Sequence, residues 1–173
     1  MNLRRFSALV LVAAAFAVAL SPVSGCGSSE PLDKVVELTE VQSGYVDMGL
    51  VNGETKLVPY ATFRVKNNGK SPLDGFQLSA AYWRPGEDGQ KDETLVPKLL
   101  AKDLAPGAVS DPITVRASFG YTLAGARADF FAHSMFVDFT VKVLGKVNGR
   151  MFRMGEVNVE RKIVPKDSVI PTT

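Results

Sequence analysis

The stretch Phe136-Val137-Asp138-Phe139-Thr140-Val141-Lys142-Val143-Leu144 carries the clearest structural signal in the sequence. Apolar and polar residues alternate along it, with one face formed by Val137, Phe139, Val141 and Val143 and the other by Asp138, Thr140 and Lys142. Successive side chains of a β-strand point to opposite faces of a sheet. The stretch therefore predicts a strand with one buried and one wet face.

The same alternation recurs at three other places along the chain. Its apolar positions are Ala61, Phe63 and Val65; Phe76, Leu78, Ala80 and Tyr82; and Ile113, Val115 and Ala117. Turn-forming residues lie between such runs, at Asn52-Gly53, Asn67-Asn68-Gly69, Pro85-Gly86, Pro106-Gly107 and Asn148-Gly149. These residues supply the positive or fixed φ that chain reversals need, so the strands are expected to be joined by hairpins and short loops.

In the last run the apolar positions change parity around Gly155. Phe152 and Met154 precede that glycine and Val157 and Val159 follow it, one position out of phase. An extra residue in one strand of a pair produces such a change, which predicts a β-bulge.

Helical periodicity is weak throughout, and its best candidate is Leu95 to Leu104, where Pro97 limits a helix to at most two turns. Strands without crossover helices predict an all-β fold, an antiparallel immunoglobulin-like β-sandwich of about seven strands. We assign the sandwich to residues 35–165 and a C-terminal tail to residues 166–173.

Part of this region resembles a known group of exported modules. The segments that carry the resemblance are Phe63-Arg64-Val65-Lys66-Asn67-Asn68-Gly69, Leu73, Phe76-Gln77-Leu78 and Leu104-Ala105-Pro106-Gly107. Their order of strand, Asn-Asn turn, strand and Leu-x-Pro-Gly is similar to that of small immunoglobulin-like modules such as the FxLYD-type domains. The resemblance implies a sandwich module with no catalytic residues.

The first 25 residues have the pattern of a secretory signal peptide. A positive region that contains Arg4 and Arg5 precedes an apolar run from Phe6 to Leu20, and small residues follow up to Gly25. The run is shorter than the roughly 20 residues that a spanning helix needs. Residues 1–25 are therefore expected to be removed after export.

Val23-Ser24-Gly25-Cys26 resembles the lipobox of bacterial lipoproteins. The resemblance implies that Cys26 becomes the first mature residue, carries a diacylglyceryl thioether and anchors the protein to a membrane; two or three acyl chains make desorption very slow. We assign residues 26–34 to the lipidated cysteine and a short tether. The resemblance also implies the location: the extracytoplasmic side of the cell envelope and, by the sorting rule of such lipoproteins in Gram-negative hosts, the outer membrane, since Gly27 and not aspartate follows the cysteine.

Charge and residue counts exclude several classes of partner and cofactor. Of the 20 basic and 18 acidic residues, only Arg4 and Arg5 precede Cys26, so the mature chain has 20 − 2 = 18 positive and 18 negative side chains. A neutral protein without a basic stripe is not expected to bind nucleic acid. One cysteine and one histidine exclude an internal disulfide framework and a Cys/His zinc cluster.

Side chains that could perform chemistry are few. His133 is the only candidate base, and Ser134 would lie on the opposite face of a strand, so the two do not predict a hydrolytic pair. The acidic loop Glu87-Asp88-Gly89-Gln90-Lys91-Asp92-Glu93 is read as a solvated hairpin tip, with a calcium site as the alternative. We expect no catalytic residues, metal or cofactor.

Two segments are candidates for contact with a partner. The connection Ala117 to Phe131 is rich in aromatic residues for a loop, and it contributes Tyr121, Phe130 and Phe131. It either packs over the end of its own core or contacts a ligand or partner. Trp83 and Arg84 form the second candidate, because an exposed tryptophan beside an arginine suits an interface; the alternative is that Trp83 caps the core.

The sequence therefore favours a lipid-anchored, non-catalytic interaction or assembly module with an envelope protein partner. The alternative is a carrier of small apolar ligands, or a chaperone-like component, whose sheets enclose a cavity. An interior filled by Phe63, Val65, Phe76, Leu78, Phe139 and Val141 would argue against that alternative.

Overall fold

The chain folds into two β-sheets that pack against each other. The structure, a computed structural model, describes residues 30–96 and 104–171. The strands in these ranges are β1 (Val36–Val51), β2 (Glu54–Asn67), β3 (Gln77–Trp83), β4 (Asp92–Val96), β5 (Ile113–Arg116), β6 (Tyr121–Leu123), β7 (Thr140–Val147), β8 (Arg150–Asn158) and β9 (Ile163–Pro165). One α-helical turn, α1 (Leu32–Val35), precedes them, and 3-10 turns occupy Arg127–Ala132 and Lys166–Ser168. Within the described ranges no helix is long and apolar enough to cross a membrane.

Strand pairing gives the sandwich its type. The first sheet has the order β5-β2-β1-β9, with β6 also paired to β2, and the second has the order β4-β3-β7-β8. Paired strands are antiparallel except for β1 and β9, which run parallel where Tyr45–Asp47 meets Ile163–Pro165. Strands β1, β2 and β5 in one sheet, with β3, β7 and β8 in the other, match the strand distribution of immunoglobulin-like domains. The predicted all-β antiparallel sandwich is confirmed.

The predicted hairpins form where asparagine precedes glycine. Asn52 and Gly53, between β1 and β2, have φ values of 53° and 83°, and Asn148 and Gly149, between β7 and β8, have 49° and 80°. Two consecutive residues with positive φ define the type I′ turn, whose twist matches that of the strands on either side.

The alternating apolar positions form the shared core. From the first sheet they include Phe63 and Val65, both 0% exposed, and from the second Leu78 and Val141, at 1% and 0%. The polar residues between them are exposed or half-buried in β2 and β7. In β3 the alternation is incomplete, because Ser79 and Ala81 on the outer face are also buried.

The weak helical candidate begins with strand residues, because Leu95 and Val96 belong to β4; residues 97–103 of that candidate lie outside the described ranges. One local prediction is wrong, because the strand predicted from Phe136 begins only at Thr140. Before it the Tyr121 hydroxyl bonds to both the backbone N–H and the C=O of Val137, taking the groups that a neighbouring strand would use. In this non-strand segment Phe136 is buried, and Val137 is only half-buried.

The bulge predicted at Gly155 is confirmed. Val143 pairs with Gly155 and Leu144 pairs with Arg153, so that Met154 has no partner in β7. A Cβ atom at Gly155 would lie 3.2 Å from Cδ1 of Leu38 in the other sheet. The glycine therefore allows the edges of the two sheets to approach at this point.

Asn67, at the end of β2, holds three chain segments together with a fully buried side chain. Its Nδ2 donates to the carbonyls of Ser71 and Leu104, both at 2.9 Å, and its Oδ1 accepts from the N–H of Gly69 at 2.9 Å. Each polar atom of the amide is thus paired in a site that is 0% exposed.

We predict that Asn67→Asp lowers the free energy of unfolding by about 3 kcal/mol, because a carboxylate cannot donate to two carbonyls and is costly to bury. The matched control is Asn148→Asp, the same amide-to-acid change in an exposed hairpin turn. Urea unfolding measures both changes. Equal losses in the two variants would contradict the role assigned to Asn67.

Candidate functional site

The strands run between two ends of the sandwich that differ in character. Glu30, Asn67 and Asn148 line one depression of about 630 Å³ at what we call the N-terminal end. From there β3 runs to Trp83, which pairs with Thr140 at the opposite, far end.

An aromatic cluster covers the core at the far end. Its rings make contacts with centroid distances of 5.1–6.2 Å, as in the Tyr121–Phe136 pair at 5.1 Å and the Tyr121–Phe130 pair at 6.2 Å. We call it the aromatic cap, and its members are Tyr45, Phe119, Tyr121, Phe130, Phe131, Phe136 and Phe139. All the ring pairs of the cap are tilted or edge-to-face, the arrangement that aromatic quadrupoles favour. The aromatic connection therefore packs over its own core, with Tyr121 and Phe130 buried and Phe131 half-buried.

The Tyr121 hydroxyl fastens the cap to the chain that leads into β7. It donates to the carbonyl of Val137 at 2.7 Å and accepts from the N–H of the same residue at 2.9 Å. Burial raises the pKa of Tyr121 above its ordinary value, so the hydroxyl keeps its proton.

Arg84 extends the cap to the surface. Its Cζ atom lies 4.7 Å from the ring centroid of Tyr121 and 5.1 Å from that of Phe139, within cation–π range. Nη1 approaches Oε1 of Glu87 at 3.5 Å, and Lys91 contacts the other oxygen of that carboxylate at 2.5 Å. The hydrogen bond from Lys91 lowers the pKa of Glu87.

Trp83 lies apart from the other four candidate interaction residues. Tyr82 points into the core, so the next residue of the strand faces outward. The half-buried Trp83 ring is covered by Lys142, whose Nζ is 3.8 Å from the ring centroid. The structure thus brings Arg84, Tyr121, Phe130 and Phe131 together and leaves Trp83 on the outer face of the second sheet.

Asp92, from the loop considered as a calcium site, and His133, the candidate base, both accept hydrogen bonds from neighbouring residues. Asp92, in the acidic loop, accepts hydrogen bonds from the N–H and the hydroxyl of Ser118 at 2.5 and 2.8 Å. The exposed His133 accepts from the N–H of Met135 through Nδ1 at 3.2 Å. In the part of the chain that the structure describes, no group of three or more His, Cys, Asp or Glu side chains is placed to hold a metal ion. Cys26 lies outside the described residues.

A second surface, which sequence reasoning missed, lies along one side of the sandwich. There β1 and β8 face each other from different sheets and form the two sides of an open groove of about 630 Å³. We call it the seam groove; its lining includes Asp33, Lys34, Val36, Glu37, Leu38, Val41, Met154, Gly155, Glu156, Val157 and Glu160. Ser43 closes one end, because its hydroxyl donates to the carbonyl of Asn158 and accepts from the N–H of Glu160, each at 3.0 Å.

Asp138 and Arg161 join the segment before β7 to the crossover between β8 and β9. The guanidinium makes two hydrogen bonds to the carboxylate, at 2.9 and 2.8 Å, and its Cζ lies 5.4 Å from the ring centroid of Phe136. The hydrogen bond from Arg161 lowers the pKa of Asp138. This ion pair therefore holds the crossover against the edge of the aromatic cap.

Comparison with known proteins gives no family. No family model and no curated protein matches the sequence. Among solved structures, the chain is similar to Northeast Structural Genomics Consortium target SoR45, with 14% identity, a TM-score of 0.44 and coverage of 75% of this chain and 89% of that one. A protein from Archaeoglobus fulgidus gives 12% identity, a TM-score of 0.32 and coverage of 74% and 100%.

We predict that Tyr121→Phe lowers the free energy of unfolding by about 2 kcal/mol, because it leaves the N–H and C=O of Val137 without their partner. Tyr60→Phe is the control, since the Tyr60 side chain packs against Val46 and Val169 away from the cap. Guanidinium unfolding gives the free energies, and hydrogen exchange should show faster exchange at Val137 only in the Tyr121 variant. Unchanged exchange there would contradict the prediction.

The Asp138–Arg161 pair predicts a specific dependence of stability on pH. Because the pKa of Asp138 is lower in the folded than in the unfolded chain, the pair stabilises the fold above the ordinary carboxyl pKa, and this contribution is lost as the pH falls through the lowered pKa. The thermal midpoint of Asp138→Asn should therefore fall less between about pH 6 and pH 3 than that of the parent protein. Asp88→Asn, in the exposed loop, should keep the parent's slope; identical slopes in all three proteins would refute the prediction.

Proposed function

We propose that this protein is an exported lipoprotein, anchored to a membrane through Cys26, that acts as a non-catalytic interaction module for an envelope protein partner. The anchor is proposed from the sequence of residues 1–26. The interaction role is supported by the filled interior, which leaves the ends and edges of the sandwich as its available surfaces. The location we propose is the extracytoplasmic side of the envelope, at the outer membrane in a Gram-negative host.

The filled interior is the observation that carries this proposal over the carrier alternative. Six side chains from the two sheets, and from the residues just before β3 and β7, occupy the space between the sheets at 0–3% exposure: Phe63, Val65, Phe76, Leu78, Phe139 and Val141. A carrier of apolar ligands needs an enclosed cavity of several hundred Å³. The volumes of about 630 Å³ belong instead to open depressions at the N-terminal end and along the seam.

The position of the N-terminal end gives the anchor a structural consequence. Glu30 lies at that end, four residues after Cys26, and four extended residues span at most about 14 Å. An anchor at Cys26 would hold the N-terminal end near the bilayer and turn the aromatic cap away from it. Confinement to a membrane surface also raises the effective concentration of the module for partners on the same bilayer.

We expect Cys26→Ser to move the protein from the membrane fraction to the soluble extracytoplasmic fraction, because no thioether can form. Ser28→Ala, two residues further on, is the matched control and should remain in the membrane fraction. Mass spectrometry of the parent protein should find an acylated Cys26 at its start. Unchanged fractionation of the Cys26 variant would overturn the anchor.

A further inference from the structure

We propose that the seam groove binds an extended, positively charged peptide segment of the partner, which adds a strand to the free edge of β1. This inference deepens the proposed interaction role by giving the chemistry of the partner. It does not depend on the lipid anchor.

The edge of β1 is open for most of its first half. β9 pairs with β1 only at Tyr45–Asp47, while β1 itself extends back to Val36. Along Val36–Thr39 the described pairing of β1 is with β2 on its inner side. Backbone groups on the outer side of such a strand can accept another strand, in line with β9.

Apolar side chains at the base of the groove can contact alternate residues of an added strand. Leu38 and Met154 are half-buried there, and Val41, displaced by the irregular pairing between Thr39 and Gln42, is 44% exposed. Gly155 also lines the groove and contributes no side chain to it. Strand addition uses this combination, with backbone bonds for affinity and pockets for every second side chain.

Charge decides which peptide fits. The rim has four carboxylates, Asp33, Glu37, Glu156 and Glu160, and one ammonium group, Lys34. Glu156 is already compensated by ion pairs, so the other three carboxylates and Lys34 leave a net charge of 1 − 3 = −2. The chain from Cys26 onward is neutral, so the rim is a local concentration of negative charge. Glu156 is paired with Arg153 at 2.7 Å and with Lys142 at 3.9 Å, whereas Asp33 and Glu160 have no ion pair within residues 30–96 and 104–171. Lysine or arginine side chains of an added strand would supply the missing cations.

The same charges argue against a second copy of this chain as the occupant. Antiparallel pairing of two β1 edges about Glu37 would place the Glu37 carboxylates of both copies opposite each other. Like charges placed across a strand pair destabilise it. The rim therefore favours a cationic partner and opposes self-association at this edge.

The test uses the full-length protein in detergent and a fluorescent eight-residue peptide that alternates lysine and valine. We expect the peptide to bind, and an otherwise identical peptide with glutamate for lysine not to bind. The double variant Asp33→Asn/Glu160→Gln should weaken binding about fivefold, as expected for two partly exposed charges. The control Asp88→Asn/Glu54→Gln makes the same chemical change at exposed sites outside the groove and should leave affinity unchanged.

A second arm tests the backbone bonds. Methylating alternate amides on one edge of the lysine–valine peptide should abolish binding, and the bound peptide should slow hydrogen exchange in Val36–Thr39. Equal affinity of the two double variants, or full binding of the methylated peptide, would overturn the proposal. So would a sedimentation result in which a dimer formed through this edge excludes the peptide. Peptide binding by a soluble Cys26→Ser protein would support the groove independently of the anchor.

Discussion

The burial of Phe63 in one core with Leu78 and Phe139, between the two sheets, is the constraint on which the other features depend. Each sheet has one apolar face, and each buries that face only against the other. Because both apolar faces are buried against each other, little apolar interior remains for a ligand. What the protein offers to other molecules must therefore lie at its ends, on its outer faces and along its edges.

Period-two alternation predicted the strands wherever one face of the sheet is buried and the other wet. It worked for β2 and β5, and the positive φ of Asn52-Gly53 explains why the hairpin residues could be recognised as well. It failed before Thr140, because the Tyr121 hydroxyl bonds to the backbone groups of Val137 in place of a neighbouring strand. The alternation of apolar and polar residues contains no sign of that hydrogen bonding. Strands β6 and β9, with three residues each, are too short to establish a period.

For the candidate residues too, features set by neighbours in the sequence could be predicted, and features set by distant segments could not. Tyr121 and Phe130 could be selected as aromatic members of an unusual connection, but their burial depends on rings contributed by other segments. The separation of Trp83 from Arg84 follows from strand geometry, which places neighbouring side chains on different faces. The seam groove could not be recognised, because the segments that meet at Ser43 and Asn158 are 115 positions apart.

The arrangement of β1 has a mechanical consequence. If the chain is held at its N-terminal side, tension enters the domain along the axis of β1. This direction is nearly perpendicular to the hydrogen bonds that join β1 to β2. Twelve register pairs join these strands, and a pull in this direction loads them together and does not peel them apart one after another. Shear of this kind makes the first strand a stiff connection between an attachment point and anything bound beside it.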